Sequence, residues 1–184
     1  MGRTETAMER TVVIYKSKYG ATQQYARWIA EDLNCDLIRQ EDFKGKMFEQ
    51  YDNIIYAGGL QDGGIKGFEL IRKNRWRLDG KKVVGFVVGL SVDSKENRML
   101  VRDINLDKKE LKSMTLYYGK GAFRPEDVKG IDKGIIKITL NLLEGERLNW
   151  TDAQRQLYQD MTEGADYVDR KYIEPLVAEF VLEK

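Results

Sequence analysis

Apolar residues along this chain fall into short unbroken blocks that end near glycine, and the stretches between them carry apolar positions at helical spacing. Thr11-Val12-Val13-Ile14-Tyr15 is β-branched, apolar on both faces and followed by a loop with glycine, which predicts a central parallel strand. From Thr22 onward, Tyr25, Ala26, Ile29, Ala30 and Leu33 recur as on one face of a helix, with Glu31 and Asp32 closing the segment before Asn34. Cys35 to Ile38 reads as a second strand. Tyr51 to Leu60 reads as a third, because Ile54-Ile55-Tyr56-Ala57 runs into Gly58-Gly59. Phe68 to Asn74 predicts a helix, and Asp79-Gly80 a turn. Lys82 to Gly89 then gives a fourth strand, Glu96 to Leu106 a helix and Met114 to Gly119 a fifth strand.

Apolar strands alternating with helices imply an α/β fold with a parallel sheet covered on both faces, because parallel strands need crossover connections. The expected architecture is doubly wound, with five parallel strands in the order 2-1-3-4-5. Extra helices follow at the C-terminal end: Gly130 to Leu143, Thr151 to Met161, and an amphipathic Asp166 to Lys184 that Pro175 is expected to kink or divide. Residues 1–10 read as a fraying polar leader, and 11–184 as one domain with a helical C-terminal extension.

Composition narrows the chemistry. Hydrophobic residues make up 42% and charged residues 33% of the 184, the balance of an ordinary globular chain. Absence of a long apolar run predicts no membrane span, and the polar first ten residues predict a cytoplasmic chain without a signal peptide. One cysteine, Cys35, forms no intrachain disulfide and reads as a buried small hydrophobe. With no histidine, Ser-His-Asp and Cys-His catalysis and most zinc and haem sites are excluded, so redox chemistry would need a bound organic cofactor. A net charge of +1 implies neither nucleic acid nor a strongly charged partner.

Ser17-Lys18-Tyr19-Gly20-Ala21-Thr22 stands directly after the first strand and at the start of the first helix. Two hydroxyls, a glycine and free helix-start amides make a donor array suited to a phosphate dianion, although a hydroxyl-rich loop that only caps its helix has the same composition. Position adds to the first reading. In the 2-1-3-4-5 order ligands bind where the winding reverses, between the first and third strands. The loop after the third strand, Gly58-Gly59-Leu60-Gln61-Asp62-Gly63-Gly64, carries four glycines in seven residues. Both loops are expected at one crevice.

The ordered set Val13-Ile14-Tyr15-Lys16-Ser17-Lys18-Tyr19-Gly20-Ala21-Thr22, Tyr56-Ala57-Gly58-Gly59-Leu60 and Val88-Gly89-Leu90-Ser91 resembles the flavodoxins. It is most similar to the flavodoxin-domain branch that includes menaquinone-dependent protoporphyrinogen oxidases, over Thr11 to about Lys137. The resemblance implies a flavodoxin-like fold and one FMN. It places Ser17, Lys18, Tyr19, Gly20, Ala21 and Thr22 around the phosphate, and Gly58, Gly59 and Leu60 along one edge of the isoalloxazine. Gly89, Leu90 and Ser91 fall near its pyrimidine side, with Gly119, Lys120 and Gly121 at the same rim. It further implies electron transfer through the flavin with a redox partner protein, or an FMN-dependent quinone- or porphyrinogen-linked oxidoreductase acting on a small substrate. A flavin-free regulatory or scaffold domain is the alternative from another class. Tyr19 departs from the family's threonine or serine, Leu90 to Asp93 lacks an aromatic cover, and the near-neutral charge departs from acidic carriers. A backbone carbonyl in Gly58 to Leu60 is expected to accept a bond from flavin N5, the glycines permitting a peptide flip; a plain tight turn is the other reading.

Elsewhere the sequence is blander. Arg72, Lys73, Arg75, Arg77, Lys81 and Lys82 around Trp76 read as cations at a helix end. Glu144, Glu146, Arg147 and Asp152 read as linker charges, and Thr151 with Gln154 as a capping box. Tyr15, Tyr25, Trp28 and Tyr117 read as packing residues, with Tyr118 and Phe123 as candidates to cover the ring. The stripe Ile173, Leu176, Val177, Phe180 and Val181 packs on the chain's own sheet or on a second copy, leaving monomer and homodimer both open.

Overall fold

A computed structural model describes residues 9–182. Its sheet contains β1 (Thr11–Lys16), β2 (Asp36–Arg39), β3 (Asn53–Gln61), β4 (Gly64–Ile65), β5 (Lys82–Gly89) and β6 (Thr115–Lys120). The order is β2-β1-β3-β5-β6, with β4 paired to β3 alone. The five ordered strands are parallel, which gives the expected 2-1-3-4-5 winding.

Side-chain alternation divides the core between the two faces of the sheet. Val12, Ile14, Ile54, Tyr56 and Val87 face one way. Val101 and Leu106, from α3 (Lys95–Asn105) and its end, and Phe68 and Ile71, from around α2 (Glu69–Lys73), cover that face. Val13, Ile55, Val84 and Phe86 face the other, under Tyr25, Ala26 and Ile29 of α1 (Ala21–Leu33) and Leu176 and Phe180 of α6 (Glu174–Leu182). Both sides of each central strand are therefore apolar because both sides are roofed.

Three local readings change. The segment after β3 is a hairpin and not an open loop: Leu60 pairs with Ile65 and Gln61 with Gly64. Asp62 and Gly63 make its two-residue turn with φ of 50° and 78°, the left-handed pair that matches strand twist. Residues 166–182 do not form one helix, and residues 183–184 lie outside the described residues. The chain makes β8 (Ala165–Asp166), a 3-10 turn over Arg170–Ile173 and only then α6, whose first turn contains Pro175, a position where the missing N–H costs nothing. Cys35 is half-buried, packed at the edge of the α1 face. Of the leader, residues 1–8 lie outside the described residues. Arg10 is tied down, donating its N–H to Asp52 Oδ2 at 2.9 Å and accepting from Asn53 N at 3.1 Å.

The extra C-terminal helices are present, and the first two of them form an excursion from the sheet. Short β7 (Ala122–Phe123) pairs antiparallel with β8, and between them the chain builds α4 (Ile131–Gly145) and α5 (Asp152–Glu163). The chain then returns to the sheet, where α6 lies beside α1. The Thr151–Gln154 capping box forms, with Gln154 N donating to Thr151 Oγ1 at 3.2 Å and Thr151 N donating to Gln154 Oε1 at 2.9 Å.

Candidate functional site

Strand register sets the site. Lys16 pairs with Gly58 and Gly58 with Val87, so the segments beyond β1, β3 and β5 emerge together at one edge. There they surround a cavity of about 370 Å³, within the range that holds one small molecule. Its position beside the β1–β3 junction is where a doubly wound sheet reverses direction.

Most of the expected residues meet there. Ser17, Lys18, Tyr19, Ala21 and Thr22 line the cavity, as do Gly59, Leu60, Gly89, Leu90, Ser91 and Gly121. Gly20, Gly58, Gly119 and Lys120 are not among its walls, each for a local reason. Gly20 turns the chain into α1 at φ 97°. A Cβ on Gly58 would lie 2.5 Å from Ile65 Cγ2, and one on Gly119 would lie 2.9 Å from the Phe86 ring, so these two glycines serve strand packing. Lys120 turns away to Asp93 at 3.3 Å and stands 4.2 Å over the Tyr167 ring.

The β1 loop keeps donors in reserve. Ser17 Oγ accepts the Gly20 N–H at 3.2 Å, which leaves the hydroxyl proton to donate. Gly20 supplies no side-chain cap to α1, so the N–H groups of the first turn keep their partial positive charge at the loop. Thr22 is buried. Across from it, a Cβ added at Gly59 would touch Thr22 Oγ1 at 3.4 Å, and one at Gly89 would stand 3.0 Å from Val92 Cγ1 and 3.2 Å from Leu60 Cβ. Glycine at these two positions, one within β3 and one at the end of β5, keeps the floor open. Gly59 is not free to flip, because its carbonyl accepts the Lys66 N–H at 2.9 Å.

The sequence reading missed one whole wall. Ile135, Ile136 and Thr139 of α4, with Leu157 and Met161 of α5, close the cavity opposite the loops. Helical periodicity marked α4 and α5 as apolar on one side but carried no information on what that side covers. Phe123 lines the cavity as well. Tyr118 lies outside its walls, under the Arg98 guanidinium at 4.9 Å. Tyr15 and Tyr25 are core residues, and Tyr25 donates its hydroxyl to Lys120 O at 2.7 Å.

Charge concentrates at the mouth. Lys16, Lys18 and Lys66 are all in the lining, and Asp132 of α4 reaches in to accept hydrogen bonds from Lys18 Nζ and the Tyr19 hydroxyl. Those two bonds hold the Asp132 carboxyl below its ordinary pKa, and the same contact raises Lys18 and Tyr19. Burial lowers Lys66, whose ammonium stands 5.9 Å from the Tyr19 ring centre. Among the described residues, no group of His, Cys, Asp or Glu is arranged to hold a metal ion.

The Flavodoxin domain family matches residues 12–148, which span β1 through α4 and so include every strand that feeds the cavity. The chain belongs to the flavodoxin-domain family. Among solved structures this flavodoxin-domain chain is similar to the Trp repressor binding protein from Bacillus subtilis, at 16% identity over 65% of this chain and 88% of that one, with a TM-score of 0.48. It is similar also to oxidised flavodoxin 2 from Bacillus cereus, at 21% identity over 67% and 91% of the two chains, TM-score 0.42. A third is an FMN-dependent NADH-azoreductase from Bacillus anthracis in complex with FMN, at 7% identity over 85% and 99%, TM-score 0.43. No curated protein matches the chain. No described helix is long and apolar enough to cross a membrane.

Proposed function

We propose that this flavodoxin-domain chain binds one FMN in the cavity and passes electrons through it to a redox partner. The observation that carries the reading is the convergence of the Ser17–Thr22 donor loop and the open glycine positions of β3 and β5 on one cavity at the winding reversal. Ser17 and Thr22 hydroxyls, with the backbone amides of Lys18, Tyr19 and Ala21, would hold the phosphate, and Lys18 would add charge from the rim. Gly59 and Leu60 would border one edge of the ring, with Gly89, Leu90, Ser91 and Gly121 along the rest. Gly20 contributes its turn, its N–H being spent on Ser17 Oγ, while Gly58, Gly119 and Lys120 act behind this surface. Bound flavin supplies one- or two-electron transfer, and the protein biases its redox states through the groups set around the ring.

The test is an absorption and fluorescence titration of the purified chain with FMN. Stoichiometric quenching of flavin fluorescence at one FMN per chain is expected; absence of binding at excess FMN refutes the assignment. We place the chain in the cytoplasm, with residues 11–184 acting as one unit.

A second reading has its own support. The aliphatic wall from α4 and α5 favours an FMN-dependent oxidoreductase acting on a lipophilic acceptor such as a quinone, or on a porphyrinogen, as in the protoporphyrinogen oxidase branch. A net charge of +1 also sits better with a small substrate than with electrostatic docking of a carrier. Turnover with quinones or protoporphyrinogen supports it, whereas fast one-electron exchange with a reductase and no such turnover supports the carrier.

A further inference from the structure

The α4–α5 excursion is built like a cover. It is closed at its base by the β7–β8 pair, its two helices pack on each other, and α4 carries no fully buried side chain. Trp150 joins the helices by donating Nε1–H to the Leu143 carbonyl and by meeting the Tyr158 ring at 4.8 Å between centroids. Near the base, Asp160 of α5 accepts from the Tyr167 hydroxyl at 2.8 Å and from Gln156 Nε2 at 2.9 Å. In the first turn of α4, among the described residues, Asp132 is the α4 side chain that hydrogen-bonds across to the β1 loop, to Lys18 and Tyr19.

We propose that Asp132 is a latch: its carboxylate holds α4 against the β1 loop, and a phosphate dianion entering that loop competes with it for Lys18 and loosens the cover. The carboxylate and the phosphate are both anions that draw on the same ammonium, and Lys18 cannot compensate both fully. Side chains of Lys18 and Asp132 are 50% and 18% exposed, so the Lys18 end is open to an arriving ligand while the Asp132 end is sheltered. Tyr19 gains a purpose in this arrangement. Its hydroxyl is the second donor to Asp132, a reach that a serine or threonine at the same position lacks. The inference rests on the phosphate-binding reading of the β1 loop and goes beyond it by coupling that loop to the helical wall.

Asp132→Asn is the test, measured against the unaltered chain with FMN and with riboflavin, which lacks the phosphate. Because one like charge beside the dianion is removed, FMN affinity is expected to rise about tenfold while riboflavin affinity stays level. Tyr19→Phe, which deletes one donor and keeps the ring, is expected to shift FMN in the same direction by less. Unchanged or weaker FMN binding in Asp132→Asn overturns the latch. A parallel readout needs no flavin: hydrogen exchange of the α4 amides is expected to speed up in Asp132→Asn, and in the unaltered chain on addition of inorganic phosphate. If neither protein binds FMN, the flavin assignment fails, and the exchange data still judge the latch, which unchanged α4 exchange in Asp132→Asn overturns.

Discussion

Asn105 offers the sharpest test of how the cavity floor is held. At the end of α3 it is 2% exposed, and all its side-chain bonds are spent inside the protein. Its Oδ1 accepts the Ile65 N–H at 2.9 Å, and its Nδ2 donates to the Gly63 carbonyl at 2.8 Å and to the Val101 carbonyl at 2.7 Å. One amide thus clamps the β3–β4 hairpin, which brings Gln61, Asp62 and Gly63 to the cavity, onto α3. Asn105→Ala strips the acceptor from a buried N–H, an orphaning that costs about 1–3 kcal/mol, and removes a bond to the turn carbonyl worth roughly 1 kcal/mol; the Val101 carbonyl keeps its helical partner. The sum, about 2–4 kcal/mol, corresponds in a chain of this size to a fall in melting temperature of roughly 4–16 °C. Urea unfolding and thermal melts measure the loss, and FMN titration is expected to weaken in parallel because the hairpin forms one wall. Asn105→Asp is expected to be no milder, since a buried carboxylate would then face two carbonyl oxygens. A change in stability within about 0.5 kcal/mol, the range of an ordinary surface substitution, with flavin affinity intact, would refute the clamp.

Other consequences are equally direct. Gly58→Ala is expected to destabilise by about 1–3 kcal/mol through overpacking, because its Cβ would press on Ile65 and on the Lys66 backbone, whereas Gly59→Ala meets only Thr22 Oγ1 at ordinary contact distance; melts should separate the two, and flavin potentials should respond to Gly59→Ala without unfolding. Burial raises the Tyr25 hydroxyl to about 12, as it does Tyr51. The folded chain therefore keeps those protons longer than the unfolded chain does, and their contribution is complete below pH 10 and disappears as pH climbs toward 12. Urea midpoints across that window should fall, and Tyr25→Phe should flatten the fall while losing about 1–3 kcal/mol at neutral pH with its bonds to Lys120 O and from Asp169 N. Thr151→Ala removes the α5 cap and is expected to cost about 1 kcal/mol by thermal melt.

Several elements were legible because the relevant physics is local. Val12 to Tyr15 and Val83 to Val88 are unbroken apolar runs, and a strand roofed on both faces has that appearance. Gly89 marked a strand end correctly, whereas β3 runs on through Gly58-Gly59 to Gln61. Asp62-Gly63 was legible too, as a two-residue hairpin signal, yet a run of glycines reads more readily as a loop, and the pairing of Gln61 with Gly64 was missed. The long terminal helix failed for a related reason: apolar spacing from Val168 to Val181 spans a 3-10 turn and a helix, which both bring residues three or four apart to one side. Of the cations around Trp76, Arg72 and Lys73 close α2, while Lys81 donates to the Tyr51 carbonyl and Lys82 opens β5 and pairs with Glu179 at 3.0 Å. Arg72 in fact reaches farther, donating from its guanidinium to the Ile104 carbonyl at 2.7 Å, so it caps α3 from outside.

What the chain dictates on its own is the sheet, its winding and the donor loop after its first strand, because propensity, periodicity and turn chemistry act between residues a few positions apart. Folding in three dimensions decided the rest: which glycines line the cavity and which only make room for a neighbouring strand, and that α4 and α5 form its second wall. Lys18 and Asp132 are separated by 114 positions, and nothing in the neighbourhood of either residue announces the other. Their meeting depends on the β7–β8 pair returning the excursion to the sheet, a contact whose partners are chosen by packing and not by local sequence.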